Sequence, residues 1–334
     1  MAQRINWKNE YLFKSRKEVA STQSVMDQTL QILKQLKLKY EVLAEVPECL
    51  EVTYQSFKFL IETVKDRRYI TISIQNFDSF QIDDEEENLR IHDIINKNNR
   101  IHFTKLCCTN EDGSVQVDCK IDLLLIPEIP DCSKYFLCAL QMIITNITSY
   151  YKMKKGVQED PVHQPKEEVY YFKTAQQIKT RPNVLDLLFP ILDEMKIKYK
   201  RQHEDVLVFR YKDFDFSVYG GKDWNYIILT AWYLDVLDPS DDNDINKSNS
   251  VIDYINSSLT PRFFYMDVPD GSILVVAKMD MLWVPEIPEL GRWFRTGLKN
   301  LMDAYMIYDD MKQDPGGIVD AISLGFSSPT PYQA

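Results

Sequence analysis

The histidines and cysteines are the residues of this chain best suited to metal or nucleophilic chemistry, and their spacing is unpromising for both. None of the four histidines stands in a metal-ligand pair such as HExxH. They are His92, His102, His163 and His203. His92 on a short predicted helix and His102 on a predicted strand would lie near each other, but the second half of the chain does not repeat them. We therefore predict solvated or structural histidines and no catalytic residue.

The cysteines all lie in the first half of the chain and lack the paired C-x2-C spacing of a zinc site. They are Cys49, Cys107, Cys108, Cys119, Cys132 and Cys138. Their spacing is also not that of a disulfide scaffold. The sequence thus predicts core or surface thiols and no bound metal.

Two acidic runs, at 83–87 and 238–244, each precede a predicted helix. In the second run the oxygen-bearing residues alternate as in a calcium loop, at Asp242, Asp244 and Asn246. The glycine that such a loop requires is Lys247, and its twelfth residue is Asp253 instead of glutamate. We therefore predict solvated loops whose negative charge favours the start of the following helix.

Known cofactor and nucleophile motifs are missing from the sequence. It contains no GxGxxG, no phosphate-binding P-loop and no G-x-S-x-G elbow. We predict a protein that is not an enzyme and binds no cofactor. The alternatives left open are an enzyme or small-molecule-binding protein with a site between two halves of the chain, and a structural subunit of a larger assembly.

The overall composition is that of a globular, acidic protein. Apolar residues make up 45% and charged residues 27% of the 334 residues, and the formal net charge is -11. No basic stripe is present to neutralise phosphates, which argues against nucleic-acid binding. There is no apolar segment of a secretory signal and no apolar run of the ~18 residues that span a bilayer. The sequence predicts a cytoplasmic protein without membrane contact.

Short segments recur in the same order in both halves of the chain, which indicates a tandem duplication. YQSFKF at 54–59 matches YKDFDF at 211–216, and IPEIP at 126–130 matches VPEIP at 284–288. DIIN at 93–96 is matched with DYIN at 253–256. The prediction comprises a first repeat, a polar linker, a second repeat and a flexible tail, at 9–155, 156–167, 168–313 and 314–334.

Hydrophobic periodicity predicts the same elements in each repeat. Their order is α-β-β-β-α-β-β-α, an α+β unit in which helices pack on one face of an antiparallel sheet. In the first repeat the helices are predicted at 24–37, 88–98 and 131–153; in the second they are predicted at 184–195, 249–258 and 289–311.

The element order resembles that of the YbjN family. The residues that carry the resemblance are Ile95-Asn96 before a strand, the Asp112-Gly113 hairpin, and the IDLL strand at 121–124 that leads to the last helix. The resemblance implies the fold of type III secretion chaperones in each repeat. It also implies a sensory-transduction or chaperone-like role without enzymatic activity, and supplies no catalytic residues.

The outer faces of the two predicted sheets differ in chemistry. In the first repeat this face carries Lys105, Cys107, Asp118 and Lys120, which is typical of a sheet wetted on one side. In the second it is predicted to be apolar, with Tyr226, Ile228, Trp232, Phe263, Tyr265 and Val276.

Such an apolar patch exceeds what a monomer normally exposes to water. It is therefore either covered by the first repeat, the linker or a second copy of the chain, or it docks a partner. We predict a non-enzymatic protein-binding module whose repeats pair as a pseudo-dimer within one chain, with further oligomerisation open.

Overall fold

The computed structural model contains two similar α+β units in tandem. It describes residues 24–43, 48–63, 69–81, 83–111, 113–125, 132–157, 183–221, 226–285, 287 and 289–313. The predicted repeat boundaries at 9 and 168, most of the predicted linker and the predicted tail lie outside the described residues.

The first unit begins with helix α1 (Val25–Gln35). The elements that follow are β1 (Lys39–Val42), β2 (Cys49–Tyr54), β3 (Phe57–Thr63), β4 (Tyr69–Gln81), α2 (Glu85–Ile101), β5 (Lys105–Glu111), β6 (Ser114–Leu124) and α3 (Cys132–Lys154). Helix α1 begins after Ser24, because the serine hydroxyl accepts a hydrogen bond from the Asp27 N–H at 3.0 Å.

The second unit begins with a short 3₁₀ helix (Val184–Leu187) in place of the first turn of an α-helix. The elements that follow are α4 (Phe189–Glu194), β7 (Tyr199–His203), β8 (Val206–Tyr211), β9 (Phe214–Tyr219), β10 (Tyr226–Leu237), α5 (Asp242–Ser258), β11 (Arg262–Asp267), β12 (Ile273–Leu282) and α6 (Leu290–Gln313).

Both sheets have six antiparallel strands in the same spatial order. The order is β1-β2-β3-β4-β6-β5 in the first unit and β7-β8-β9-β10-β12-β11 in the second. The predicted fold class is confirmed, and each unit has one strand more than predicted. The additional strands β1 and β7 are short, polar and mostly exposed sheet edges, so they lack the apolar alternation on which the prediction depended.

Each sheet buries one face against its helices. The core of the first unit includes Phe59, Ile72, Val117 and Leu140, and that of the second includes Phe216, Leu229, Val275 and Leu301. Burying each such side chain contributes roughly 1.5–3 kcal/mol. Each core therefore stabilises the packing of the helices on the sheet of its own unit.

Helix α5 corrects two predictions. It begins at Asp242, seven residues before the predicted start at 249, so the end of the second acidic run, 242–244, lies in its first turn, while 238–241 precede the helix. The Asp241 side chain accepts from the Asp244 N–H at 3.0 Å and caps the helix. The first turns are polar, and apolar periodicity could not detect them.

The second correction concerns the register of α2 against α5. Both helices have 17 residues, so Glu85 corresponds to Asp242 and Ile101 to Ser258. The predicted match of DIIN with DYIN is therefore wrong by about one helical turn, because a helix can slip by a turn and retain its apolar face. Asn96 corresponds to Asp253.

Two amide side chains support the corrected register. Asn99 exchanges two hydrogen bonds of 2.8 Å with the backbone of Leu106, and Asn256 does the same with Phe263 at 2.9 and 3.0 Å. Each amide ties the second helix of its unit to the strand that follows.

Candidate functional site

The two units meet through their outermost strands and their second helices. Helix α2 of the first unit packs against β11, and helix α5 of the second unit packs against β5. Strands β5 and β11 are edge strands of their sheets. Since an uncovered edge strand leaves backbone groups free to pair with other chains, each unit protects the edge of the other.

Three buried cations and the partly exposed Lys120 hold this interface together. Lys105 donates to the Leu259 carbonyl at the end of α5, and Arg262 donates to the His102 carbonyl at the end of α2. Lys120 donates to the Ser257 carbonyl, and Lys278 to the Arg100 carbonyl at 2.6 Å. The contacts are reciprocal: each helix C-terminus is capped by cations of the other unit.

These cations satisfy carbonyls that a helix leaves without an internal partner, at the end where the helix dipole favours positive charge. Lys105 and Arg262 are only 4% and 2% exposed, so the prediction of a water-facing surface around Lys105 and Cys107 is wrong. The other unit covers that face. Burial lowers the pKa of Lys105 to about 7, and the neighbouring charge of Lys120 acts in the same direction.

A cavity of about 140 Å³ lies beside these cations and is lined by both units. Aromatic side chains contribute to its wall, and the rings of Phe103 and Tyr226 meet edge to face with centroids 4.4 Å apart. The polar lining consists of Lys105, Lys120, Arg262, Asp122, Asp280 and Thr260. Arg262 forms an ion pair with Asp280, and Asp122 accepts from the Thr71 hydroxyl at 2.7 Å.

At one end of the interface an amide binds the edge of the second sheet. The Asn96 side chain of α2 accepts from the Tyr265 N–H at 2.5 Å and donates to the Tyr265 carbonyl at 3.3 Å. The amide thereby supplies the two hydrogen bonds that a neighbouring strand would make to this edge residue of β11.

At the other end, three potential metal ligands come together. His92 on α2, Cys108 on β5 and Asp253 on α5 place one ligand atom each within 4.8 Å of one another. His92 Nδ1 lies 3.5 Å from Asp253 Oδ2. Burial raises the pKa of Asp253 to about 6, opposed by His92, and burial raises the pKa of the Cys108 thiol well above its usual range. No sequence pattern indicates this cluster, because its members lie on three elements of two units.

Four of the six residues predicted for the outer face of the second sheet do lie there. Tyr226, Ile228 and Trp232 alternate on β10 with core residues such as Leu229, and Val276 packs with a small apolar cluster on the outer face. The Trp232 indole donates to Ser217 at 2.7 Å.

Phe263 and Tyr265 lie on the face opposite to the predicted one. Both pack with the helix-side core of the second unit, and the outer positions of β11 are Phe264 and Met266. The hairpin explains the error: Asp267 pairs with Ile273, so the turn has five residues against two in the first unit, where Glu111 pairs with Ser114. A change of one residue in the offset moves every side chain to the opposite face.

A second polar cluster occurs in both units and was missed. In the first, Tyr150 and Lys154 of α3 each place a donor 2.5 Å from Asp78, next to a bulge in β4. In the second, Tyr308 and Lys312 of α6 contact Asp235 at 2.8 and 2.5 Å, next to a bulge in β10. The Tyr-x-x-x-Lys spacing, which recurs in the last helix of each unit, is the sequence pattern that could have predicted this cluster. Burial raises the pKa of both tyrosines, and the duplication favours a structural role: the cluster fixes the bulge to the last helix.

Comparisons with known proteins add little to this geometry. No family model matches the chain, and no curated protein matches it. Among solved structures, the chain is similar to "YbjN, a putative transcription regulator from E. coli", with 18% identity over 39% of this chain and 91% of that one. The TM-score is 0.30. The resemblance to the YbjN family stays a prediction.

Among the described residues, no helix combines the length and the apolar character needed to cross a membrane.

Proposed function

We propose that this chain is a non-catalytic binding protein of the cytoplasm that engages a partner protein through the outer face of its second sheet. The residues of this face, here called the outer patch, are Trp232, Val236, Phe264, Met266, Leu274 and Val276. Cys49, Cys107, Cys108 and Cys119 are buried thiols outside any disulfide, which is compatible with a reducing compartment.

The observation that carries the proposal is the contrast between the outer patch and the same positions of the first sheet. The first unit has polar or small residues at the positions equivalent to all six. They are Gln75, Ser79, Cys107, Thr109, Gln116 and Asp118. The two sheets therefore have the same architecture, but only the second has an apolar outer face. Because the first sheet folds with polar residues at these positions, the fold does not require the apolar ones.

Exposure within the outer patch fits a docking surface. Phe264, Leu274 and Val276 are buried and form its floor, while Val236 is 55% exposed and Trp232 and Met266 are half-buried. Partly exposed aromatic and thioether side chains over a rigid apolar floor are typical anchors of protein interfaces. Val236 lies just after the bulge of β10, where it pairs with Leu274 of β12.

The experiment compares a charge placed in the outer patch with the same charge at the matching position of the first sheet. Met266→Glu is expected to abolish capture of specific partners from native lysate, measured by quantitative mass spectrometry against the unaltered protein. Thr109→Glu, its matched control, is expected to leave capture unchanged. Equal capture by Met266→Glu and the unaltered protein, with both folded by circular dichroism, would contradict the proposal.

Self-association is a separate outcome of the same pair of variants. If a second copy of the chain covers the outer patch, sedimentation shows a dimer that Met266→Glu dissociates and Thr109→Glu does not. That result would replace the partner protein by a homodimer.

A second candidate function is the binding of a small anion in the cavity between the units. The supporting observation is the excess of cations, Lys105, Lys120 and Arg262, over the two carboxylates that line the cavity. No histidine lies among the described residues of its wall, which favours binding over acid–base catalysis. A thermal-shift series with benzoate and benzylamine tests this: benzoate is expected to stabilise the protein and benzylamine is not. No shift with benzoate would exclude it.

A further inference from the structure

The cluster of His92, Cys108 and Asp253 joins the two units at a point where nothing in the repeated architecture requires it. Two of its members belong to the first unit and the third to the second. Cys108 is 5% exposed, and the side chains of His92 and Asp253 are about one-fifth exposed, so the cluster is partly accessible to solvent.

The other end of the interface provides an internal control. There Asn96 takes the place of Asp253, Tyr265 that of Cys108, and Asn249 that of His92. Asn96 both donates to and accepts from the edge of β11. A carboxylate at the equivalent position only accepts when ionised, so Asp253 is a poor substitute for an amide in holding the edge of β5.

The distance between the histidine and aspartate ligand atoms is that of two ligands that bind one cation. Zinc bonds of about 2.0–2.2 Å to nitrogen and oxygen at a tetrahedral angle put those two atoms about 3.4 Å apart. The distance between His92 Nδ1 and Asp253 Oδ2 is 3.5 Å. The Cys108 sulfur lies within 4.8 Å of both atoms.

We propose that His92, Cys108 and Asp253 form a zinc site that bridges the two units. One imidazole nitrogen, one thiolate and one carboxylate make up a three-ligand set with the fourth tetrahedral position open to water. The Cys108 thiol releases its proton to solvent as the sulfur–zinc bond forms. Because the ligands come from both units, zinc binding is coupled to the pairing of α5 with β5.

Cobalt(II) serves as the probe, since zinc has no visible spectrum. Titration of the metal-free full chain is expected to give tetrahedral visible bands and a thiolate-to-cobalt charge-transfer band that saturate at one equivalent. Addition of zinc should abolish both. Zinc is also expected to raise the melting temperature in a concentration-dependent way, and a chelator should reverse the rise.

The variants distinguish this site from adventitious binding. Cys108→Ser should abolish the charge-transfer band, and His92→Asn or Asp253→Asn should each weaken zinc binding at least tenfold. Cys107→Ser is the matched control, because Cys107 is the adjacent thiol, equally buried, on the opposite face of β5. It should bind zinc as the unaltered protein does.

Two results would overturn the proposal: no saturable cobalt spectrum in the unaltered chain, or zinc affinity unchanged in His92→Asn and Asp253→Asn. These two substitutions reproduce the side chains of the other end of the interface, and their folding is checked by circular dichroism in the metal-free state. The result is independent of partner capture, so its failure leaves the proposed docking function standing.

Discussion

The two ends of the interface between the units share a geometry and differ in chemistry. At one end, the amide of Asn96 satisfies both backbone groups of Tyr265 on the edge strand β11. At the other, the carboxylate of Asp253 faces His92 and Cys108 beside the edge strand β5. Immediately after a duplication both ends have the same residues and stabilise the fold equally. The change to a carboxylate, a histidine and a cysteine at one end therefore indicates a role other than stabilising the edge strand.

The buried cations at the two helix ends also differ, because Arg262 forms an ion pair with Asp280. Removal of these cations should have the largest effect on the free energy of unfolding. Arg262→Met is expected to lower the free energy of unfolding by about 3–5 kcal/mol, because Asp280 is left as a partly buried charge and the carbonyls of His102 and Thr104 lose the Arg262 donor. Lys105→Met, the equivalent change in the first unit, should cost about 1–2 kcal/mol, since none of the described residues forms an ion pair of this kind with Lys105. Urea denaturation measures both; equal losses would contradict the comparison.

Replacing the Asn96 amide by a carboxylate tests the end of the interface at which Asn96 binds the edge of β11. Asn96→Asp removes the donor to the Tyr265 carbonyl and places a charge against the edge of β11. We expect a loss of about 2 kcal/mol at pH 7, partly recovered at pH 4, where the new carboxyl is half protonated. Chemical denaturation at the two pH values checks it, and a variant as stable as the unaltered chain would show that the bidentate contact contributes nothing.

The reverse exchange tests the other end in the presence of a chelator. Asp253 has a folded-state pKa of about 6 against an ordinary value of about 3.9, so the folded state binds more protons between these pH values. Stability should therefore fall as the pH rises from about 4 to about 6 and stay lower above that. Asp253→Asn removes this loss and should stabilise the metal-free protein by about 2 kcal/mol at pH 7, with no gain at pH 4. Thermal denaturation across this pH range measures the difference, and a gain independent of pH would contradict the assignment.

The exposed faces of α2 and α5 should matter least. Lys97 and Asp93 form an ion pair on α2 with both side chains more than half exposed, and α5 has Tyr254 and Ser250 at these positions. Lys97→Ala is expected to change the free energy of unfolding by less than about 0.5 kcal/mol. A larger loss in urea denaturation would mean that the two helices differ in more than their interface ends.

Much of the fold could be predicted because its signals are local. Alternation placed Ile228 and Trp232 of β10 on the correct face, and short repeated segments revealed the tandem units. The errors arose where local signals are ambiguous: a turn longer by three residues moved Phe263 and Tyr265 to the wrong face, and a slip of one helical turn matched Asn96 with Asn256.

The candidate site could not be predicted for a different reason. Lys105 and Lys278 are charged residues on predicted strands, and nothing in their neighbourhood in the sequence indicates that they are buried. Their burial results from helix ends more than 150 residues away. The same holds for the cluster, since Asp253 reaches His92 and Cys108 only through the pairing of the units.

The mutual covering of strands β5 and β11 has a consequence for synthesis of the chain. Strand β5 ends at Glu111, but the helix that covers it begins at Asp242. At translation rates of roughly 5–20 residues per second, a ribosome needs on the order of ten seconds to make the stretch between them. During that interval the nascent first unit presents an unpaired strand to its surroundings. Neighbouring ribosomes on one messenger would then carry identical exposed edges, and the proportion of correctly closed chains should rise when translation is faster or more widely spaced.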